Sequence, residues 1–251
     1  MDKESKLLFS PSHFSWMDTA HPAGTPRQGY PIEIQSLWYA ALKFVQDDET
    51  AEELSCSIEK YYFRNGKVSD CLHCTTFAPA EKATPDDHTR CNMLTAITMK
   101  AVKDPLLLRR ILDAAGILLV PGAIRTLDDA QVNYQLPVCH HGSLLNDPQH
   151  PYQGHYRGPE DTGRKAAYHN GTAWCWPFPA YCEALYMLGG EAVRSRALSL
   201  LMSAVPLFEN GITGQLPEIL DGDAPHMPGG CPAQAWSVSE FFRVLEILER
   251  K

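Results

Sequence analysis

Pro31-Ile32-Glu33-Ile34-Gln35-Ser36-Leu37-Trp38-Tyr39-Ala40-Ala41-Leu42-Lys43-Phe44-Val45-Gln46 is the stretch whose period decides the fold class. Ile34, Leu37, Trp38, Ala41, Phe44 and Val45 recur at three- and four-residue steps, which puts them on one stripe of an α-helix. A helix over 32–46 follows, and Trp38 reads as core rather than as a ligand platform. Pro31 stands at its start, where the missing N–H costs nothing. The same period returns over about 49–63, 89–102, 105–118, 176–188, 191–209 and 232–250. Pro105 opens one of these helices, and Asn65-Gly66, Gly189-Gly190 and Asn210-Gly211 close others. No clear alternating run predicts a strand. The chain reads as all-α and as a single domain over 1–251.

The helices fall into hairpins with tight links, separated by long segments at about 64–88, 119–173 and 210–231. Loops of that length in a compact domain are functional or disordered, and a disordered linker would hold few aromatics. These hold Trp, Tyr, His, Arg and Asp between Gly and Pro. The segments therefore predict one functional rim above a framework of helix pairs.

Two carboxylates stand out on that rim. Asp18 lies in Ser15-Trp16-Met17-Asp18, and Glu218 in Leu216-Pro217-Glu218 ahead of Asp221-Gly222-Asp223. Splitting a glycosidic bond takes two carboxyl groups, one to protonate the leaving oxygen and one to activate water or attack carbon. Indoles stack on the apolar faces of sugar rings, and their low polarity favours a protonated carboxyl. Asp221 and Asp223 read as turn formers. Cys71-Leu72-His73-Cys74 lacks the matched second pair of a structural zinc site, and His140, His141, His150 and His155 are too loosely spaced for a metal site.

The net charge of −8 argues against nucleic acid or an anionic membrane as the main partner, because phosphate binding needs a basic face. A neutral sugar is compatible with it. The 44% hydrophobic and 21% charged residues are ordinary for a globular chain. Eight scattered cysteines read as reduced thiols, and no apolar run reaches the length of a membrane span. The expected location is cytoplasmic, since Leu7-Leu8-Phe9 is too short for the apolar part of a signal peptide.

From Phe14 onward the chain resembles the glucosidase domain of glycogen debranching enzymes, the amylo-alpha-1,6-glucosidases. The resemblance rests on five motifs in order. They are Ser15-Trp16-Met17-Asp18; Pro26-Arg27-Gln28-Gly29-Tyr30-Pro31-Ile32-Glu33-Ile34-Gln35; Val120-Pro121-Gly122-Ala123-Ile124-Arg125; Tyr168-His169-Asn170-Gly171-Thr172-Ala173-Trp174; and Leu216-Pro217-Glu218 through Cys231-Pro232-Ala233-Gln234-Ala235-Trp236. It implies an (α/α)6 toroid of the six-hairpin glycosidase kind. Asp18 would be the general acid and Glu218 the general base. Glucose would be removed from α-1,6 branch points of glycogen or limit dextrin with inversion, and no cofactor is implied. Inversion needs room for water, so the carboxyl groups should stand roughly 6.5–9.5 Å apart. The resemblance favours Trp16, Arg27, Glu33, Gln35, Arg125, His169, Gly171, Thr172, Trp174 and Trp236 as sugar contacts. For Arg27 and Arg125 a structural salt bridge is an equal alternative. Asn170 and Cys175 depart from the family's usual Gln and Pro.

Seven helices fall short of the twelve in a toroid. The chain therefore reads as the C-terminal part of a glucosidase domain, an incomplete toroid whose open side would expose apolar helix faces. A second copy or an upstream polypeptide would complete it. The alternatives are a related toroid glycosidase, of trehalase or glucosylglycerate-hydrolase type, and a non-catalytic glucan-binding or assembly subunit.

Overall fold

The computed structural model describes residues 1–19, 27–64, 66–210 and 212–250. Pro26 and the helix-stop residues Asn65 and Gly211 lie outside them. Seven helices form the framework: α1 (Ile32–Phe44), α2 (Asp48–Tyr62), α3 (Leu94–Thr98), α4 (Pro105–Gly116), α6 (Phe178–Gly189), α7 (Arg194–Leu201) and α8 (Ala235–Glu249). A one-turn helix, α5 (Lys165–Tyr168), sits in the long segment before α6. Local chemistry sets several ends. The Asp47 carboxylate caps α2 by accepting from Thr50 N at 3.2 Å. Asp104 does the same for α4, accepting from Leu106 N at 2.7 Å, with Pro105 in the first turn.

Helices α1, α3, α6 and α8 pack each on the next and form an inner arc. Helix α2 backs α1, α4 lies against α3 and α6, and α7 lies against α6 and α8. One continuous core fills the space between the layers, with Leu54, Ile58, Ile97, Ile111, Phe178, Leu201 and Val244 almost wholly buried. Among the described residues the arc does not close into a barrel. Its concave side is a largely apolar cleft of about 570 Å³, lined by Ile34, Leu37, Leu94, Met99, Ala180 and Trp236 among others.

Three expectations need correction. Most of the apolar stripe of α1 does not face the core, for Leu37 is 50%, Phe44 89% and Val45 67% exposed, whereas Trp38 packs against the core as expected. The buried face carries Ile32, Glu33, Gln35, Ser36, Tyr39 and Leu42. Its polar members are affordable because each is bonded: Glu33 to Arg27, Gln35 to Leu8 and Pro31, and Ser36 to the carbonyl of Ile32. Periodicity locates a stripe but not the layer it meets. The helices predicted over 89–102 and 191–209 are also shorter as α-helix. Cys91–Met93, Gly190–Val193 and Met202–Phe208 wind as 3-10 turns, the last around Pro206.

The third correction is that the rim contains sheets. A five-stranded antiparallel sheet runs in the order Pro228–Gly229, Ile219–Leu220, Ala173–Trp174, Ala123–Arg125, Leu119–Val120. A smaller sheet pairs Gly29–Pro31 with Cys71–His73, and these with Thr84–Pro85. Strands of two or three residues are too short to show alternation. Gly29 is required in the smaller sheet: its φ is +129° and a Cβ would collide with the carbonyl of Leu72.

Phe44→Asp is expected to change the unfolding free energy by less than about 0.5 kcal/mol, as an exposed substitution does. Leu42→Ala, on the buried face of the same helix, should cost about 2–5 kcal/mol, because Leu42 is 3% exposed. Urea melts of the two variants check this reversal of the expected faces.

Candidate active site

The two sheets bring the motifs together above the arc. In the larger sheet Trp174 pairs with Ile124 on one side and with Ile219 on the other, which sets the Tyr168–Trp174 motif beside Glu218. Trp16 meets the rings of His169, Trp174 and Trp176 edge-on, with centroids 5.1, 5.0 and 5.0 Å away. Trp176 and Trp236 stack at 5.3 Å. An aromatic group of four tryptophans and His169 thus forms the floor.

Asp18 lies at the edge of this floor with its side chain 65% exposed. Its Oδ1 is 3.8 Å from Nε2 of the fully buried His169. The His169 ring facing it holds the Asp18 carboxyl below the ordinary carboxylate value, against the smaller opposing effect of partial burial. Burial depresses His169. The tryptophans around Asp18 therefore do not keep it protonated in the free chain, contrary to the effect expected of a low-polarity neighbourhood.

Glu218 is half-buried, and its carbonyl accepts from Cys175 N at 3.3 Å. Its Oε2 accepts from the backbone N–H of Cys231 at 2.9 Å and its Oε1 from the Gln234 amide at 3.0 Å. Burial pushes the Tyr168 phenol up, and the Glu218 carboxylate near it acts in the same direction. Gly230, at φ +67°, packs so close that a Cβ there would run into Oε2.

Beneath the Asp18 segment lies a buried, charge-balanced network. Arg27 grips Glu33 through two hydrogen bonds of 2.6 Å and meets Asp70 through Nε at 2.6 Å. Asp70 also accepts from Asn92 at 2.8 Å and faces Arg90 at 3.7 Å. Asn92 in turn accepts from the Trp16 indole at 2.8 Å, and Arg27 reaches Ser15 at 3.2 Å. Burial works against the charge on Arg27, but the Asp70 and Glu33 carboxylates outweigh it and hold the guanidinium well above its usual value. Burial likewise opposes ionisation of Asp70, yet Arg27 and Arg90 keep it below the usual range. Arg90 continues the network to the Tyr168–Trp174 motif, donating to the carbonyls of His169 and Thr126 and to Asn170 Oδ1.

The candidate sugar contacts separate into two groups. Trp16, His169, Trp174 and Trp236 gather at the floor, although Trp174 is only 1% exposed and its indole donates to the carbonyl of Tyr168. Arg27 and Glu33 lie under the floor in the ion-pair network. Gln35 is held by the backbone of Leu8 and Pro31. Arg125 donates to the carbonyl of Gly222 at 2.9 Å, so it braces the rim. Gly171 and Thr172 are buried in the backbone of the rim, with Thr172 Oγ1 donating to Tyr168. Asp221 and Asp223 hold the 152–157 segment: Asp221 accepts from Tyr156 N and Asp223 from the Tyr152 hydroxyl, both at 2.8 Å. The variant positions Asn170 and Cys175 are both buried.

Sequence reasoning missed Asp70, Arg90, Tyr168 and Trp176 as parts of this assembly. Tyr168 opens the fourth of the five motifs, and Trp176 lies two residues after its end. Asp70 and Arg90 carried no motif signal.

No curated protein matches the chain. Among solved structures it is similar to neutral trehalase Nth1 from Saccharomyces cerevisiae, with a TM-score of 0.53 and 12% identity over 86% of this chain. The chain spans 38% of the length of that structure, and the likeness shows the fold, that of the (α/α)6 toroid glycosidases. The family profile described as amylo-alpha-1,6-glucosidase matches residues 1–243. With nearly its whole length covered, the chain belongs to the amylo-alpha-1,6-glucosidase family of six-hairpin glycoside hydrolases.

Proposed function

We propose that the chain is the C-terminal part of a glucosidase domain that removes α-1,6-linked glucose at branch points of glycogen or limit dextrin. Asp18 protonates the glycosidic oxygen, and Glu218 deprotonates the water that attacks from the opposite face. The observation that carries this reading is that Asp18 faces His169 of the tryptophan group and Glu218 stands in the segment paired with Trp174 and Cys175, with unsatisfied polar atoms in that group. Among the described residues Thr19 Oγ1, both His169 ring nitrogens and the Trp176 indole nitrogen are buried and lack hydrogen-bond partners. A ligand rich in hydroxyls satisfies such atoms, and the tryptophans suit its apolar ring faces. The acid must carry a proton at the moment of transfer. Burial of Asp18 beneath a bound sugar supplies the desolvation that the free chain lacks.

The exposed apolar residues of α1 lie where further helices of a ring would pack. Covering helices from an upstream polypeptide, or from a second copy, accordingly belong to the proposal, as does a cytoplasmic location.

Two rival readings have their own support. The likeness to a trehalase favours a related toroid glycosidase. The exposure of Asp18 favours a glucan-binding subunit without turnover. The test is glucose release from phosphorylase-trimmed limit dextrin compared with trehalose. Preference for the dextrin supports the proposal, preference for trehalose supports the first rival, and binding of dextrin without release supports the second.

A further inference from the structure

We propose that the groove crossing Tyr134 is a second glucan-binding site, which takes a stretch of linear α-glucan chain apart from the scissile glucose. That the chain is a glucan rests on the reaction proposed above.

Two clefts meet at one ring. The first, of about 550 Å³, is lined by Gln28, Thr76, Lys82 and Gln135 among others. The second, of about 400 Å³, is lined by Arg64, Lys67, Asp87 and Asn133 among others. Tyr134 and Thr84 line both. The clefts therefore run into one another as one extended groove, and each has a volume ordinary for a ligand site. An extended groove suits a linear polymer better than a compact molecule.

The ring at the crossing is held flat. It stacks on His73 with centroids 4.3 Å and planes 20° apart. His73 is 5% exposed, and its Nε2 lies 2.9 Å from Asp86 Oδ2. Asp86 is itself fixed to the small sheet, where Oδ1 accepts from Asp70 N at 2.8 Å. Thr84 stands opposite His73 in that sheet. His73 covers one face of the Tyr134 ring, so the half-buried ring turns its other face and edge to the groove. The Tyr134 backbone is tied separately: its N–H donates to Asp87 at 3.0 Å, and its carbonyl accepts from His88 Nε2 at 2.7 Å. Those two bonds hold the segment. The buried His73–Asp86 pair adds something more, a fixed plane for the ring.

The apolar face of a sugar lies on such a ring, and its hydroxyls need short side chains that donate and accept. Gln28, Thr75, Thr76, Thr84, Asn133 and Gln135 supply them. Charges along the groove are nearly balanced. Arg64, Lys67 and Lys82 stand against Asp86 and Asp87, and Lys67 lies 3.2 Å from Asp87. A polyanion finds little net attraction there, whereas a neutral polyol needs none. The groove also adjoins the loop of the proposed acid. Gln28 accepts from Ser12 Oγ at 3.3 Å, and the next residue, His13, has Nδ1 2.8 Å from the Asp18 carbonyl.

The test is calorimetric binding of maltoheptaose, a linear α-1,4 glucan without a branch, by the full chain. Tyr134→Ala should weaken it about tenfold, the scale of one lost ring contact. Thr76→Trp, which fills the groove from an exposed position, should do the same and carries the test if Tyr134→Ala does not fold. Trp236→Ala, at the aromatic floor, should leave the affinity within twofold. Equal affinity in the parent and the groove variants overturns the proposal, as does loss in Trp236→Ala alone or no binding by the parent at millimolar maltoheptaose.

Hydrolysis is read separately. Both groove variants should cleave α-glucosyl fluoride within twofold of the parent rate, because a single glucose occupies only the catalytic end. For limit dextrin they should raise KM about tenfold with kcat unchanged. Maltoheptaose binding by a protein that hydrolyses nothing would leave the groove standing and count against the proposed reaction alone. Glucose release with a KM indifferent to Tyr134 and Thr76 would count against the groove alone.

Discussion

Glu218→Gln and Asp18→Asn should each lower kcat for glucose release from limit dextrin by about 10²–10⁴-fold, the range a positioned acid or base contributes. The two losses should differ in how they respond to the leaving group. Asp18 serves the departing oxygen, so a substrate such as α-glucosyl fluoride, whose leaving group departs with little protonation, should restore most of the rate to Asp18→Asn. Glu218 serves the water, and the same substrate should leave Glu218→Gln slow. Neither change disturbs the buried network. Asp18 is exposed, and an amide at position 218 can still accept from Cys231 N. Both variants should therefore melt close to the parent. Equal rescue of the two by the fluoride would contradict the separate roles.

Asp70→Ala should destabilise the fold by about 3–5 kcal/mol, the cost of breaking a buried ion pair and leaving its partners charged. Asp70 is 1% exposed and joins Arg27, Arg90 and Asn92. Its removal leaves two buried guanidinium groups with one buried carboxylate between them. Denaturant melts measure the loss, and an effect below about 1 kcal/mol, the scale of an exposed pair, would mean that the network is not dry. The sign of the pH dependence follows from the depressed Asp70 carboxyl. Its contribution is fully present above the unfolded value of about 3.9 and is lost as pH falls through the lower folded value. The parent's stability should thus fall more steeply than the variant's below about pH 4.

The helix framework was legible because its signals are local. Asp104 and Pro105 begin α4 by chemistry contained in a few residues, and Gly189-Gly190 ends α6 in the same way. The burial of α1 was not legible, since Ile34 and Leu37 of its apolar stripe line a cleft and Phe44 is exposed, while Glu33, Gln35 and Ser36 are buried. Those inward polar residues depend on Arg27 and Leu8, partners that a helical period cannot announce. At the site, Asp18 and Glu218 could be picked out through their tryptophan and proline neighbours. The sheet that sets Glu218 beside Tyr168 could not, because Ile219–Leu220 and Ala173–Trp174 are two-residue strands. Asp70 and Arg90 lie 52 and 72 positions beyond Asp18 in the chain and act only through folded contacts. The resemblance to the family supplied the motifs. The structure added what holds them, and it shows Arg27, Glu33 and Gln35 buried and bonded within the protein.

The most direct test of the account is the anomer of the glucose first released from phosphorylase-trimmed limit dextrin, followed by proton NMR before mutarotation. The expected product is β-glucose, formed by water attacking opposite the departing α-1,6 oxygen, with release slowed at least about a hundredfold in Asp18→Asn. Release of α-glucose would mean that a carboxylate attacks carbon and would contradict the inverting assignment of Glu218.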